Sequence, residues 1–594
     1  MPLYTDALIK EVLGGRTWLS RDNSNTQVSP SLVDYVVFSQ AVEGYALRNL
    51  YSGGVAKQHK EGSIYMHTLH SALRPYCNGI DCRVFLSDGL RFPHCRSRPA
   101  RHFGSAVYQS MAYMFYSQLF FAGAQAMDYY NWFLAPYVHY DRAGYGEVKQ
   151  AVQGLVFQLN QSNRTGAQSA FTNIGLRIKC PSYLQEQGGE AVPVIYQGRK
   201  LRNVSYADFD REARMIYRAF MEVMGEGDGS GLPFTFPIIT TAITRDMDWN
   251  DELVLETMKT TSEKGTPYFF NLTTDYLDEK YVHAMCCRLI IRHSGGVWNA
   301  GGIGTGSNKV VTLNLPHIAL LAKGDEGRFF VLLDEKMEAA RKALEESNAI
   351  IKKSLDAWGL LPLLRMKAKD GAPYYNFRER KLTIGVIGMN ECLLNLIGSG
   401  LTSGEGLALG RKIIMHMSKR AGGFSKKDGV VYTLEQTPAE AAGCKLATMD
   451  RKRFGKRANV QGRPGSFYYT NSTHVPYNEN IDLFGKIETE AEFHPYFTGG
   501  TLCHVWMGES RPEPESMKSL VRKMSKTKLA YFTFSPDFSV CKNSHVRRGR
   551  VDVCQLCHAR MDHMNRIVGY FTRTSRWNPG KLQEYRERKR FMIR

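Results

Sequence analysis

Apolar residues recur at helical spacing from Asp334 to Trp358, where Met337, Ala340, Leu344, Ile351, Leu355 and Trp358 share one face and charges fill the other. That pattern predicts an amphipathic helix. Ser31 to Leu50 predicts another, within a first hundred residues that read as mainly helical, and Glu405 to Arg420 a third. From residue 231 to 320 the period shortens, and β-like runs such as Pro233 to Pro237 and Gly265 to Phe270 alternate with Gly, Pro, Asn and Asp turns. Val192 to Gln197 and Leu382 to Ile387 also read as strands. Strands alternating with helices over roughly four hundred residues predict an α/β layer or barrel.

Ala106 to Met127 carries no charge and is long enough to span a bilayer, but Gln109, Ser110, Ser117, Gln118 and Gln125 interrupt it. It is expected to be a buried helix, within a helical region reaching Val138, and no membrane is expected. Met1 to Gly15 holds Asp6, Lys10 and Glu11 and no apolar signal core, so a cytoplasmic address is expected. Two of the twelve cysteines, Cys286 and Cys287, are adjacent, which disfavours an ordinary disulfide and favours metal or redox roles. The net charge is +20, and residues 545 to 594 hold thirteen Lys and Arg against four Asp and Glu. A nucleotide pocket, a nucleic-acid groove and a solvated face all suit such a charge.

Chemistry concentrates at the C-terminus. Cys554 and Cys557 have the two-residue spacing that lets both thiolates reach one tetrahedral ion, and Cys541 with His545 can complete the set. His558 is an alternative fourth ligand. Four protein ligands leave no open position, so a structural zinc site is expected. Gly569 follows in Arg566-Ile567-Val568-Gly569-Tyr570, with Arg573, Arg576, Trp577, Asn578 and Gly580 beyond it. A backbone Cα radical is tolerable at glycine, which alone lets that carbon flatten between two amides without a side-chain clash.

This tail resembles the radical-bearing end of the glycyl radical enzymes, and with the Cys/His cluster it resembles the anaerobic (class III) ribonucleoside-triphosphate reductases. Phe103 to Ala106, Gly123 to Ala126, Gly388 to Glu391, Glu435 to Glu440, Tyr468 to His474 and Thr498 to Thr501 extend the likeness in order along the chain. The resemblance implies a ten-stranded α/β barrel of two five-stranded halves with an inner finger loop. It implies a thiyl radical on Cys287, in Met285-Cys286-Cys287-Arg288-Leu289, a segment expected to pair as a hairpin with Lys309 to Leu315. Adjacent cysteines also resemble those of pyruvate formate-lyase. Cys77 in Tyr76-Cys77-Asn78-Gly79 matches the second active-site cysteine, and His67 falls in a matching segment.

Asn308 stands where formate-using relatives have asparagine, so formate is the expected reductant. Thr498, Gly499, Gly500, Thr501, Asn471 and Ser472 are the expected nucleotide-binding residues. The resemblance further implies a separate iron-sulfur activase using S-adenosylmethionine, ribonucleoside triphosphate substrates, nucleotide effectors, a homodimer and no nucleic-acid polymer. The expected organisation is a catalytic domain over 1–535 with no complete N-terminal ATP-cone, a zinc segment over 536–560 and a radical tail over 561–594. The rivals are a glycyl radical lyase or dehydratase and a zinc-ribbon nucleic-acid-binding protein.

Overall fold

The computed structural model describes residues 6–7, 9–10, 13–14, 29–164, 166–186, 192–285, 288–292, 304–369, 371 and 373–593. Cys286, Cys287 and the glycines at 295, 296, 301 and 302 therefore lie outside the described residues. In chain order the strands are β1 (Ile64–Met66), β2 (Asn78–Ile80), β3 (Gln125–Met127), β4 (Thr172–Leu176), β5 (Ile195–Tyr196) and β6 (Arg199–Lys200). Next come β7 (Ile238–Ile243), β8 (Tyr268–Asn271), β9 (Val282–Met285), β10 (Leu289–Arg292), β11 (Ser307–Asn314), β12 (Lys381–Ile387) and β13 (Val431–Glu435). The last are β14 (Cys503–Gly508), β15 (Tyr531–Pro536), β16 (Phe538–Cys541), β17 (Val546–Arg548), β18 (Met561–Arg566) and β19 (Phe571–Arg573).

Two mixed sheets carry the fold. One runs β14-β15-β8-β7-β4-β3-β2, with its five strands from β8 to β2 mutually parallel, and the other runs β1-β11-β12-β13, with β11, β12 and β13 parallel. Period-two alternation gives the second sheet two unlike faces. Val311, Leu313, Leu382, Ile384, Val386 and Leu434 are buried in one apolar cluster with residues of the helices Glu326–Asp356 and Gly404–Asp428. The opposite face is lined with hydroxyls: Ser307 Oγ meets Thr383 Oγ1 at 3.0 Å, and Thr383 Oγ1 meets Thr433 Oγ1 at 3.2 Å. A buried polar interior is thus built into the sequence alternation.

Several expectations are corrected here. The barrel is not closed, because β13 and β14 share no ladder. Instead Gly500 makes single bridges, to Glu435 on one side and to Leu289 on the other, so one glycine joins the sheet edge to β10. The region from Ala106 to Val138 is not one long helical stretch; helix Phe103–Ser117 gives way to β3 and then to helix Tyr130–Asp141. Gly123 marks the change, where the chain passes so close to Cys77 that an added Cβ would stand 2.6 Å from its Sγ. The hairpin is formed by β9 with β10, on either side of Cys286 and Cys287, while β11 pairs with β1 and β12. Residues on both sides of position 560 share a four-stranded sheet, β17-β16-β18-β19.

Candidate active site

Gly569 is buried in the bend between β18 and β19. The four carbonyls from Arg566 to Gly569 each accept a hydrogen bond from a distant side chain. Arg588 donates to Arg566 O at 2.8 Å and Ile567 O at 2.9 Å, His504 Nε2 to Val568 O at 2.7 Å, and Tyr268 Oη to Gly569 O at 2.5 Å. Arg588 is itself caged, with its guanidinium 3.8 Å from the Trp506 ring centre and ion-paired to Glu584 at 2.7 Å. Burial, with Arg288 adding to it, holds His504 well below the usual imidazole range, so its ring is neutral and its Nε2–H serves the loop. Tyr570 Oη reaches Glu440 Oε2 at 3.3 Å.

The β9–β10 hairpin comes to this loop. Between its paired ends, Met285 and Leu289, the described residue is Arg288, which is fully buried and donates from Nη2 to Val568 O at 3.4 Å. Cys287, its neighbour, lies outside the described residues. Met285, Leu289 and Ile291 share a small apolar cluster with Cys77, Ala124 and Ala126, so Cys77 and the cysteine-bearing hairpin meet inside the fold. Cys77 is completely buried, its Sγ accepts from Ala124 N at 3.3 Å, and a Cβ on Gly306 would stand 1.9 Å from its carbonyl oxygen. His67 lies on the same polar interior, with Nε2 2.8 Å from Thr312 Oγ1, which meets Thr437 Oγ1 at 2.8 Å.

Asn308 is buried at a register shift between Ser307 and Lys309, where its Nδ2 donates to Asn348 Oδ1 at 3.1 Å and its Oδ1 accepts from Tyr375 Oη at 3.3 Å. Several polar groups of Thr498 to Thr501 are engaged within the fold. Thr498 Oγ1 accepts from Leu434 N, Gly499 N donates to Leu434 O, Gly500 N to Phe497 O, and Thr501 Oγ1 meets His494 Nδ1. Asn471 Oδ1 and Ser472 Oγ, in contrast, are buried without a hydrogen-bond partner among the described residues. They sit beside two helix starts: Met389 N donates to Ser472 O at 3.0 Å, and Asn471 Nδ2 to Pro438 O at 2.9 Å, just before helix Glu440–Phe454.

Cys541, His545, Cys554 and Cys557 converge, with their ligand atoms all within 4.8 Å of one another. Cys541 Sγ and Cys557 Sγ are 3.6 Å apart and Cys554 Sγ and His545 Nδ1 are 3.4 Å apart. A tetrahedral ion with bonds of about 2.3 Å to sulfur needs edges of about 3.8 Å, so the set fits a metal. His545 occupies the fourth position; His558 instead takes a left-handed backbone, φ 55°, ending the Cys554 turn. Burial acts to raise the Cys554 thiol, but backbone N–H groups of Leu556 and Cys557 and the neighbouring ligands outweigh it and bring it down to about 6.

Sequence reasoning missed the groups that hold the loop. Tyr268, His474 and Arg288 stand in segments already singled out, yet nothing local marks their roles, and Arg588 and His504 carried no signal at all.

The family model described as anaerobic ribonucleoside-triphosphate reductase matches residues 22–591. The anaerobic ribonucleoside-triphosphate reductase of Salmonella typhimurium is 24% identical over 95% of this chain and 82% of its own length. That of Enterobacteria phage T4 is 22% identical over 95% of this chain and 96% of its own. Among solved structures, the anaerobic ribonucleotide reductase from Thermotoga maritima in complex with dATP and CTP superposes with a TM-score of 0.75, at 21% identity, over 96% of this chain and 93% of that one.

Proposed function

The chain belongs to the anaerobic ribonucleoside-triphosphate reductase family and is an oxidoreductase that reduces ribonucleotides, and from that premise we propose that the reduction runs through a radical kept on Gly569 and used at Cys287. The observation that carries this reading is the meeting of three elements in one buried interior: the Gly569 loop with its hydrogen-bonded carbonyls, the hairpin that bears Cys287, and Cys77.

A separate iron-sulfur activase that cleaves S-adenosylmethionine would supply the first hydrogen abstraction at Gly569. The Gly569 Cα radical then takes the Cys287 thiol hydrogen, and the Cys287 sulfur takes the 3′-hydrogen of the ribose. The 2′-hydroxyl leaves with a proton as water. Formate supplies two electrons and is released as carbon dioxide, with Cys77 as the thiol on the opposite side of the sugar, and the 3′-hydrogen returns from Cys287. The balance is one nucleotide, one formate and one proton giving one deoxynucleotide, one carbon dioxide and one water.

Asn471 and Ser472 supply polar atoms for the nucleotide that are buried and unpaired among the described residues. The dATP and CTP bound by the Thermotoga protein support substrate and effector nucleotides here, and the chain would act as a homodimer. Cys541, His545, Cys554 and Cys557 would hold zinc, bracing the sheet from which the radical loop projects.

The test is an EPR spectrum after anaerobic incubation with the cognate activase, S-adenosylmethionine and reductant, beside Gly569→Ala. A doublet absent from the variant, followed by formate-dependent turnover of a ribonucleoside triphosphate, is the expected result. No doublet with a competent activase would sink the reading.

A further inference from the structure

We infer that Arg288 is a positioning residue that fixes the Gly569 loop against the Cys287 hairpin, and that His474 and Glu490 set its orientation. The inference rests on the radical reading above, since it concerns the distance over which a hydrogen passes between Gly569 and Cys287.

Arg288 is tied at both ends. Its backbone is pinned by the neighbouring segment: Ile290 N donates to Gly499 O at 2.9 Å, and Gly500, at φ 131°, lies so close that a Cβ there would be 2.0 Å from Arg288 O. Its side chain spans the interior. Nη1 donates to Gln436 O at 3.0 Å and meets His474 Nε2 at 3.3 Å, while Nη2 donates to Val568 O at 3.4 Å. Val568 directly precedes Gly569, and Arg288 directly follows Cys287. A single guanidinium therefore joins the two residues flanking the proposed radical positions, and His504 donates to the same carbonyl from another direction.

The orientation has its own support. Arg288 can donate to His474 Nε2 only if that nitrogen carries no proton, which leaves the proton on Nδ1, facing Glu490 Oε2 at 3.4 Å. Glu490 is fixed in turn by Lys486 Nζ at 2.7 Å and Val475 N at 3.1 Å. Burial, joined by the charges of Arg288 and Lys486, keeps His474 below its ordinary range despite Glu490, so the ring stays an acceptor toward Arg288. The chain of contacts Glu490, His474, Arg288, Val568 has the form of a support that fixes which way a buried cation donates.

Hydrogen transfer between a carbon and a sulfur demands close approach, and a displacement near 1 Å can cost about a hundredfold in rate. Loss of Arg288 should therefore separate making the radical from using it. Full-length wild type, Arg288→Met and Arg288→Lys would be activated alike, and the Gly569 doublet, kcat and the KM for the nucleotide measured together. Expected for both variants is a doublet within about twofold of wild type, kcat lower by about 50- to 100-fold and KM within about threefold. Turnover that stays near wild type, or that falls only in proportion to the doublet, would overturn the inference while leaving the radical reading intact. Wild type without a doublet would instead sink that reading, and the inference with it. If the Arg288 variants fail to fold, His474→Gln keeps the guanidinium but changes its partner; about a tenfold fall in kcat with the doublet preserved is expected, and an unchanged kcat is decisive against the proposal.

Discussion

The Tyr268 hydroxyl donates to the carbonyl oxygen of Gly569 at 2.5 Å, joining β8 of the seven-stranded sheet to the C-terminal loop. A donor on this carbonyl draws electron density through the amide, which should favour a radical centred on the adjacent Cα. Tyr268→Phe removes the donor and leaves a buried carbonyl with one fewer partner, at a cost of ~1 kcal/mol, or about fivefold in a population. We expect the spin count of the Gly569 doublet to fall by about that factor with the fold retained. A doublet of full intensity and lifetime would show the hydroxyl to be irrelevant to the radical.

The metal cluster predicts a contrast between two histidines, His545 and His558, that follow β16. Nδ1 of His545 lies 3.4 Å from Cys554 Sγ, whereas His558 is absent from the convergent set. His545→Ala should therefore reduce bound zinc from about one ion per chain to about a tenth or less, and His558→Ala should keep it. Metal analysis of both purified proteins decides the matter, and the reverse pattern would reassign the ligand. Because β16 pairs with β18, loss of zinc should also lower the yield of radical on the loop beyond.

Acid sensitivity follows from His494. Ala530 N donates to its Nδ1 at 2.9 Å, so that nitrogen must be unprotonated, and burial pushes the ring down to about 3 from an ordinary 6.5. The unfolded chain thus takes up a proton that the folded one refuses. The contribution is complete above pH 6.5 and is lost as pH falls toward 3, at ~1.4 kcal/mol per pH unit. His494→Gln can keep an acceptor for Ala530, so its urea-unfolding free energy should depend on pH less steeply than wild type by about one proton between pH 6.5 and 5. Parallel curves would contradict this assignment.

Cys77 is held by glycines, and that supplies a sharper test than its removal. A Cβ on Gly123 would lie 2.6 Å from Cys77 Sγ and 2.8 Å from Tyr76 O. Gly123→Ala must displace the thiol or its backbone, so we expect an activated enzyme with a normal Gly569 doublet and turnover reduced by about a hundredfold. Turnover near wild type would remove Cys77 from the chemistry.

These sites differ in how far the sequence disclosed them. The Cys554 and Cys557 pair was legible because metal spacing is a local property, and the amphipathic stretch from Asp334 was legible because its period persists through a helix running Glu326–Asp356. Gly569 was singled out through its neighbours. The break at Gly123 was not, since an uncharged run reads alike whether it is one buried helix or a helix, a three-residue strand and another helix. Arg288 was quoted only as the neighbour of Cys287, and its partners Gln436, His474 and Val568 stand well over a hundred residues away. Side-chain contacts at that separation leave no periodic trace.

Asn308 sits at a local irregularity of β11. Regular alternation along β11 would fix its face from that of Ser307, but the bulge between Ser307 and Lys309 resets the count. Its amide is then engaged by Asn348 and Tyr375, and Arg380 Nε donates to the same Asn348 oxygen at 2.6 Å. Asn308→Leu should leave the buried Tyr375 hydroxyl without this acceptor, costing ~1–3 kcal/mol of stability. Because both ends of the amide are already engaged by Asn348 and Tyr375, the KM for formate should move by no more than about threefold. Thermal unfolding and formate titration of the same preparation separate the outcomes: a destabilised enzyme with unchanged formate dependence supports a structural role for the amide, whereas a stable one with a formate KM raised about tenfold or more would place Asn308 at the reductant site.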